Sequence, residues 1–433
     1  MERKILQELL KWKESSDRMP MLLMGARQVG KTWAMREFGR RYYKSVAYVN
    51  CELEPLSQSM FEQDYDIDRI LNVVQAITKV KVEAGDTLLI FDEIQEVRRG
   101  LQALKYFCEN APEIHVMAAG SLLGITLRQG ESFPVGKTDM LYVYPMDFEE
   151  FMIAAGKENL CKLLEQRDWS TIGILRTKYI DLLRQYYYVG GMPGVVSKYF
   201  DNQDFSEVRR LQNHIIDSYR KDITKHTTSN VAMRIGMVLN SVPSQLAKEN
   251  RKFVFGAVKK GARAADFELA IQWLEDAGVV HRVNRVSVMR QPLKFYEDMN
   301  AFKLYLLDCG LFGAMSNVSA AQIIASDNAF VEFKGAFTEQ FVLQQLISQG
   351  LTPYYWTKDN STAEIDFVVE GDTGAYPVEV KAEENVRARS LMTYLKDNPD
   401  AHGIRLSMKG YVQQDRLTNY PLYATSVMVR DIG

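Results

Sequence analysis

The chain has 433 residues, 46% of them hydrophobic and 25% charged, with a formal net charge of −2. This composition is ordinary for a globular protein, and the length predicts two or three domains. Four scattered cysteines without metal-ligand spacing suit a reducing cytosol and argue against a disulfide framework. No apolar run approaches the roughly 20 residues that span a bilayer, and the charged start lacks the apolar core of a signal peptide. We therefore expect a cytoplasmic protein without membrane contact.

Short apolar runs alternate with longer helical stretches from residue 1 to about residue 155. This alternation predicts a parallel sheet flanked by helices, because strands that are covered on both faces are short and apolar throughout. The charged start of the chain predicts an amphipathic helix before the first strand. The predicted strands are Met21–Met24, Val46–Asn50, Thr87–Phe91, His115–Ala119 and Leu141–Val143.

A phosphate-binding loop is predicted directly after the first strand. The segment GARQVGKT fits the pattern G-x-x-x-x-G-K-[ST] at every defined position. The two glycines let backbone N–H groups turn toward phosphate oxygens, and the following helix adds its positive N-terminal end. The alternative is a strand-to-helix turn that binds no ligand. The motif predicts a nucleoside triphosphate, with Lys31 at the outer phosphates and Thr32 on Mg²⁺, bound by Gly25, Ala26, Arg27, Gln28, Val29, Gly30, Lys31 and Thr32.

Two acids follow the apolar run Leu88–Phe91. Asp92 and Glu93 resemble the second ATPase motif, in which the first acid holds Mg²⁺ and the second polarises the attacking water. A strand that simply ends at the surface in acids would show the same pattern. The position of these acids downstream of Lys31, in the same α/β block, favours the functional interpretation. It assigns Asp92 to Mg²⁺ and Glu93 to catalysis.

Ser121 places a small hydroxyl residue at the end of the next apolar run, AAGS. At this position the hydroxyl could sense the terminal phosphate of the nucleotide. It could equally cap the helix that follows. Both interpretations stay open.

The segment that follows, residues 156–204, is predicted to be helical and rich in aromatic residues. It includes YYYVGGMPG, whose glycines and proline require a sharp turn. Aromatic clusters of this kind belong to a core or a docking surface more often than to a ligand site. We therefore favour a core or docking surface over a ligand site for this segment.

Residues 205–315 are predicted to form a winged-helix region. Between residues 205 and 263 there are twelve Lys and Arg but four Asp and Glu. The predicted helices are followed by a predicted β-hairpin that includes Val279–Val283. Such a basic stretch attracts nucleic-acid phosphates, so DNA is the predicted partner of residues 205–263. The alternative is a winged helix that packs as an internal lid or a subunit contact.

A D…E-x-K constellation lies in the last predicted segment, residues 316–433, after a predicted linker. Glu379 and Lys381 are two residues apart on one predicted strand and therefore share a face, and Asp366 lies on the neighbouring strand. Two carboxylates offer the hard oxygen ligands that Mg²⁺ or Mn²⁺ prefers, a lysine can activate a water, and Glu339 could complete the ligand set. The alternative is a salt-bridged strand pair.

Together, these motifs resemble a family of prokaryotic AAA-type ATP-binding proteins that carry a C-terminal domain of unknown function. The resemblance covers nearly the whole chain. It is carried by GARQVGKT, LLIFDE, AAGS, PVGKTDMLYVYPMDFEEF, YVGGMPGVV, KLYLLDCGL, TEQFVLQQL, EIDFVV and PVEVK.

The resemblance implies an α/β protein with three parts. Residues 1–155 would be an AAA-type P-loop ATPase domain with a parallel sheet, the middle would include a winged helix, and the C-terminal domain would have a restriction-endonuclease-like PD-(D/E)xK fold. It implies ATP and Mg²⁺ as cofactors and the ring-like homo-oligomers common among such ATPases. One departure is Lys137 after Gly136, where the family usually has arginine. Lysine lacks the planar fork that grips phosphate, so the source of any arginine finger stays open.

Two functions follow from these features, and a third interpretation, a defence or toxin-like ATPase with a protein partner, is not separated from them by the residues alone. In the first, an ATP-hydrolysing protein acts on DNA and controls a C-terminal metal-dependent nuclease. In the second, a nucleotide-dependent binding or regulatory protein carries a nuclease-like domain that is catalytically inactive and serves as a docking module.

Overall fold

The computed structural model describes residues 1–62, 64–120, 136–248, 251–324, 334–358, 363–383 and 388–433. The chain forms two compact units, one containing Glu2–Tyr144 and the other containing Pro145–Glu275 and Val279–Gly433. Within the described ranges, no helix is both long enough and apolar enough to cross a membrane.

The first unit is a parallel sheet with helices, as the alternation of apolar runs predicted. Its five strands are ordered β2-β3-β4-β1-β5, and every neighbouring pair is parallel. The strands are β1 (Met21–Met24), β2 (Ser45–Asn50), β3 (Thr87–Asp92), β4 (His115–Ala119) and β5 (Asp139–Tyr142). The helices are α1 (Ile5–Glu14), α2 (Lys31–Tyr42), α3 (Leu56–Glu62), α4 (Ile67–Thr78) and α5 (Gly100–Asn110).

The central strands of this sheet are buried along their whole length. β1, β3 and β4 contain no exposed residue, because apolar side chains cover both of their faces. The side chains of Leu22, Leu89 and Phe91 belong to one apolar core with those of Phe61 and Phe107. The carboxyl ends of β1 and β3 carry the predicted nucleotide site, and this core fixes their positions.

The second unit begins with a block of helices. They are α6 (Phe148–Ala154), α7 (Glu158–Gln166), α8 (Trp169–Ile174), α9 (Arg176–Val189), α10 (Pro193–Asn202), α11 (Phe205–His226), α12 (Ser229–Leu246), α13 (Phe255–Val258) and α14 (Ala264–Asp276). The helical prediction for residues 156–204 agrees with these bounds. The aromatic run Tyr186–Tyr188 is buried, with the Tyr186 ring packed edge-on against Phe148 and Phe341, so it belongs to the core.

The glycines after this run allow the chain to pass close to a buried carboxylate. Gly190 has φ +75°, and a Cβ built on it would lie 2.3 Å from Oδ1 of Asp308. Gly191 donates its backbone N–H to Oδ2 of Asp308 at 2.6 Å, and the side-chain amide of Gln344 donates to the same oxygen at 3.1 Å. Burial raises the pKa of Asp308, while these hydrogen bonds favour its charged form.

The rest of the second unit is built on an eight-stranded mixed sheet ordered β12-β13-β11-β10-β9-β8-β6-β7. The strands are β6 (Val280–Val286), β7 (Glu297–Leu306), β8 (Tyr354–Thr357), β9 (Glu364–Gly371), β10 (Gly374–Val380), β11 (Gly403–Ser407), β12 (Val412–Gln413) and β13 (Leu417–Pro421). The helices are α15 (Cys309–Met315), α16 (Ala320–Ile324), α17 (Lys334–Ser348), α18 (Arg389–Asp397) and α19 (Thr425–Ile432).

The β6–β7 hairpin lies in the same sheet as the C-terminal strands. It is antiparallel, as predicted for the end of a winged helix, but β6 also pairs in parallel with β8 through Arg285 and Tyr355. Residues predicted to be a wing therefore extend the sheet that carries the D…E-x-K residues. The division of the chain at residues 155, 204 and 315 stays a prediction, and the compact units divide it between Tyr144 and Pro145.

After β7 ends at Leu306, Asp308 caps α15 by accepting a hydrogen bond from the backbone N–H of Leu311 at 2.9 Å. The segment that follows was predicted to be a linker. This prediction was wrong, because the segment contains a short helix, α16, in which Ile323 is buried.

Candidate functional site

The loop Gly25–Thr32 joins β1 to the start of α2. Three of its residues have positive φ: Gly25 at +145°, Gln28 at +66° and Gly30 at +99°. A Cβ on Gly25 would lie 2.4 Å from the backbone oxygen of Val143, so only glycine fits there. This conformation matches the glycine requirement that the motif predicted.

Lys31 folds back onto the loop that precedes it. Its ammonium donates to the backbone oxygens of Gly25 and Ala26, both at 2.9 Å. Burial lowers the pKa of Lys31 to about 8, although Glu93 and Asp92 act to raise it. Protein groups therefore compensate the charge of this buried ammonium only in part.

The two residues predicted to hold Mg²⁺ are in direct contact. The hydroxyl of Thr32 donates to Oδ2 of Asp92 at 2.7 Å, although 60 residues separate them in sequence. The hydroxyl of Tyr48, on β2, donates to the same oxygen at 2.9 Å. A hydroxyl oxygen and a carboxylate oxygen at one point are ligands that suit Mg²⁺, so this pair fits the ion.

Glu93 follows Asp92 in a left-handed backbone conformation with φ +53°, which is uncommon for a residue other than glycine. The side-chain amide of Gln95 donates to Oε2 of Glu93 at 2.6 Å, and Gln95 is itself buried. The carboxylate is therefore held by a neighbour two residues along the chain.

Three further residues bear on the site. Arg3 is buried and donates to the backbone oxygens of Val29 and Tyr144 at 3.2 and 2.8 Å, so it supports the phosphate-binding loop. Ser121 lies outside the described residues. Lys137, at the departure from the family pattern, forms an ion pair with Glu109 at 3.2 Å.

The four residues predicted to form the C-terminal site also lie close together, within the second unit. The antiparallel strands β9 and β10 pair Phe367 with Val378, and Asp366 and Glu379 are the next residues along the two strands. Oδ2 of Asp366 accepts from the backbone N–H of Val380 at 2.8 Å. Both carboxylates are buried, as is that of Glu339 on α17.

Lys381 and Glu379 form an ion pair at 2.6 Å. The pKa of Glu379 is raised to about 7, first by burial and then by the carboxylate of Asp366, against the opposing effect of Lys381. Burial lowers the pKa of Lys381, but Asp366 and Glu379 outweigh it and the net shift is upward. Oε2 of Glu379 has no hydrogen-bond partner among the residues that the structure describes.

Arg251 occupies the space between the two other acids. Its Nη1 forms an ion pair with Oε1 of Glu339 and lies 3.7 Å from Oδ1 of Asp366. The hydroxyl of Tyr305 donates to Oε2 of Glu339 at 3.2 Å. Across the described ranges, no group of three or more His, Cys, Asp or Glu side chains is arranged to hold a metal ion.

A third ion pair lies beside this group. Lys303 on β7 is fully buried and contacts Glu364 on β9 at 2.5 Å, with its ammonium 4.8 Å from the ring centre of Tyr355. The negative charge of Glu364 also acts on Glu379. Together with Arg251 and Lys381, Lys303 gives three cations against four carboxylates.

Sequence reasoning did not identify Gln95, Tyr48, Arg251 or Lys303 as parts of these sites. A tyrosine in a strand or a glutamine in a turn matches no motif, and Arg251 was one of twelve basic residues in a stretch predicted to face DNA.

Three family models match parts of the chain. Residues 17–152 match an AAA domain, residues 180–322 match a domain of unknown function (DUF8612), and residues 334–430 match a domain of unknown function (DUF4143). No curated protein matches the chain.

Solved structures with partial similarity include three ATPases or DNA-associated proteins. The Walker-type ATPase PABY2304 of Pyrococcus abyssi is 15% identical over 73% of this chain and 95% of its own, with a TM-score of 0.44. The Orc1 protein of Aeropyrum pernix, in complex with DNA, is 12% identical over 73% and 91%, with a TM-score of 0.26. The RuvB Holliday junction branch migration motor of Thermotoga maritima is 13% identical over 65% and 90%, with a TM-score of 0.30.

None of these TM-scores reaches 0.5, so the identification of the nucleotide-binding domain depends on the family match. With the phosphate-binding loop and the parallel sheet, that match identifies the first unit as an AAA-type P-loop ATPase domain.

Proposed function

We propose that the chain binds ATP with Mg²⁺ in the loop Gly25–Thr32 and hydrolyses it. The observation that carries this proposal is the 2.7 Å hydrogen bond between Thr32 and Asp92, which brings the two expected Mg²⁺ ligands to one point. When bound there, Mg²⁺ neutralises charge on the phosphate oxygens.

The residues of the first unit have separate roles in this proposal. The backbone N–H groups of the loop and the start of α2 bind the phosphates, and Lys31 exchanges its two carbonyl partners for phosphate oxygens. Glu93 orients the attacking water and accepts its proton. Because Gln95 bonds only one oxygen of Glu93 in the described contacts, the second oxygen is available for water.

ATP turnover by purified protein tests this proposal, with Mg²⁺ present or removed by EDTA. We expect Lys31→Ala to abolish ATP binding, and Glu93→Gln to keep binding but reduce kcat at least 100-fold, in line with removal of a general base. Glu96→Gln is the matched control, since it makes the same change three residues along the same turn. Turnover that is insensitive to EDTA, or equal in Glu93→Gln and Glu96→Gln, would contradict the proposal.

For the second unit, the observed ion pairs favour the docking-module alternative over a metal-dependent nuclease. Lys381 bonds the carboxylate of Glu379, and Arg251 bonds that of Glu339, so the predicted ligands already have cationic partners. We therefore propose a nucleotide-dependent binding protein whose nuclease-like core does not cleave DNA.

The proposed DNA contact is the basic stretch 205–263. Several of its twelve cations serve the fold, including Arg209, which lies over the ring of Tyr188, and Arg251. Lys259, Lys260 and Arg263 are exposed and close together in sequence between α13 and the start of α14, which makes them the best candidates for phosphate contact.

Fluorescence anisotropy with labelled duplex DNA tests this contact over a range of salt concentrations. Replacing Lys259, Lys260 and Arg263 by alanine should weaken binding and lower the slope of log K against log salt by about one for each phosphate that the removed side chains had neutralised. The matched control replaces Lys157, Lys162 and Lys178, which are also exposed. Equal weakening of DNA binding in the two triple variants would show that the effect comes from net charge and not from a contact at these residues. DNA nicking or cutting by wild type that Glu379→Ala abolishes would contradict the docking-module proposal.

A further inference from the structure

The carboxylates of Glu339 and Asp366 have all four of their oxygens engaged by protein groups. Glu339 contacts Arg251 through one oxygen and the hydroxyl of Tyr305 through the other. Asp366 lies 3.7 Å from Arg251 through one oxygen and accepts from the Val380 backbone through the other. The partner common to both acids is the guanidinium of Arg251.

Arg251 is held in this position by its own segment. Its Nε donates to the backbone oxygen of Leu246 at 3.2 Å, at the end of α12. Two residues later, Phe253 donates its backbone N–H to Phe302 at 2.7 Å, and the two phenyl rings stack with centres 5.4 Å apart. The segment that carries Arg251 is thus fastened to β7 of the same sheet.

Gly335 leaves the room that the guanidinium needs. A Cβ built on this residue, in the first turn of α17, would lie 2.9 Å from Nη2 of Arg251. The side chain of Arg251 is only 20% exposed and lies against an acid, a strand and a helix. These contacts distinguish it from a solvated surface arginine that happens to lie near a carboxylate.

The described residues therefore do not fit a divalent cation. A divalent cation held by protein side chains needs several free oxygen ligands at one point, and the described residues of this core form no group of three or more His, Cys, Asp or Glu side chains that could hold one. A guanidinium supplies a fixed positive charge with several N–H donors, and it satisfies buried carboxylates that would otherwise be very costly to leave unpaired.

We propose that Arg251 is the resident cation of this nuclease-like core and takes the place of the divalent ion that the D…E-x-K pattern predicts. The carboxylates of Glu339 and Asp366 then serve to anchor the segment after α12 to the sheet. This inference rests on the docking-module proposal in that both need a core without metal, but it can fail while DNA binding and ATP hydrolysis stand.

Binding of Mn²⁺ to the full chain, without nucleotide, tests the inference through electron paramagnetic resonance of free Mn²⁺ and through thermal melting. We expect no Mn²⁺ site in wild type that depends on Asp366, so Asp366→Asn should bind as much Mn²⁺ as wild type. Arg251→Ala should gain one Mn²⁺ site that wild type lacks, and Mn²⁺ should raise the Tm of Arg251→Ala by more than it raises the Tm of wild type. The combination of Arg251→Ala with Asp366→Asn should abolish the added site, which separates it from any binding at Asp92.

Two further variants keep the test decisive if Arg251→Ala does not fold. Arg251→Lys keeps the charge without the planar fork and should gain a weaker Mn²⁺ site. Arg210→Ala removes an exposed partner of Glu207 elsewhere and should change nothing. An Asp366-dependent Mn²⁺ site in wild type, or no added site in any folded Arg251 variant, would overturn the inference.

Discussion

The side-chain amide of Gln95 donates a 2.6 Å hydrogen bond to the carboxylate of Glu93. This bond fixes the acid that is proposed to activate water, in a turn where the backbone of Glu93 is left-handed. We predict that Gln95→Ala lowers kcat for ATP about tenfold, because a hydrogen bond to a charged group contributes about 1.5 kcal/mol or more. The KM for ATP should change little, since Gln95 positions the base and does not bind phosphate.

Steady-state kinetics with both kcat and KM resolved would check this expectation. Gln102→Ala is a suitable control, because Gln102 bonds Tyr65 in the same unit and contacts neither acid in the described hydrogen bonds. An unchanged kcat, or a change in KM alone, would show that Gln95 does not orient the catalytic carboxylate.

Binding of ATP should take up a proton above pH 8. Burial lowers the pKa of Lys31 to about 8 in the free protein, so Lys31 is largely neutral at higher pH. Phosphate oxygens stabilise its charged form and raise that pKa, so affinity should fall by up to about tenfold per pH unit between pH 8 and the pKa in the complex.

Isothermal titration calorimetry in buffers of different ionisation enthalpy measures the proton uptake directly. Arg36→Ala should keep the uptake, because this residue lies over the ring of Tyr48 and has no contact with Lys31 in the described structure. Equal affinity at pH 7.5 and pH 9.5 would contradict the expected role of the buried ammonium.

The stability of the second unit should fall as pH rises from about 4.5 to 7. The pKa of Glu379 is raised to about 7 from 4.5, so the folded state binds more protons than the unfolded state in this window. The free energy of unfolding should therefore decrease by at most roughly 3 kcal/mol across it. Glu379→Gln should remove this part of the pH dependence.

Urea unfolding at pH 5, 6, 7 and 8 would compare the two proteins. Glu383→Gln provides a control, since Glu383 is exposed four residues further along the chain. Parallel stability profiles for wild type and Glu379→Gln would show that the buried carboxylate titrates in its ordinary range.

Substitution of Gly191 should damage the helical core of the second unit. A Cβ there would lie 2.1 Å from the backbone oxygen of Met146, which cannot move as a side chain can. We predict that Gly191→Ala lowers the free energy of unfolding by about 3 kcal/mol. Gly194→Ala should be neutral or slightly stabilising, because Gly194 is helical and has open space around it.

Thermal and urea unfolding of the two variants would test this contrast. If Gly191→Ala were as stable as Gly194→Ala, the close approach between Gly191 and Met146 would not be a constraint on the folded chain.

Local signals in the sequence were sufficient for much of the first unit. β1 and β4 coincide with the predicted strands because each is a short apolar run between chain-breaking or polar residues. The contact between Thr32 and Asp92 was also predictable, because two spaced motifs specify it.

Long-range pairing left no comparable signal. Nothing near Arg285 indicates that it will pair with Tyr355, because strand order depends on packing that forms only in the folded chain. The same holds for Arg251, whose composition-based assignment to a DNA-facing surface could not anticipate two buried acids as its partners.

The placement of β6 between β7 and β8 has a consequence for synthesis on the ribosome. β6 and β7 leave the ribosome well before β8, so the hairpin waits with the backbone groups of one edge unpaired. During that interval the open edge can pair with another nascent chain. Chains that stop before residue 354 should therefore aggregate, whereas in the full-length chain β8 pairs with Arg285 and Val286 at the end of β6.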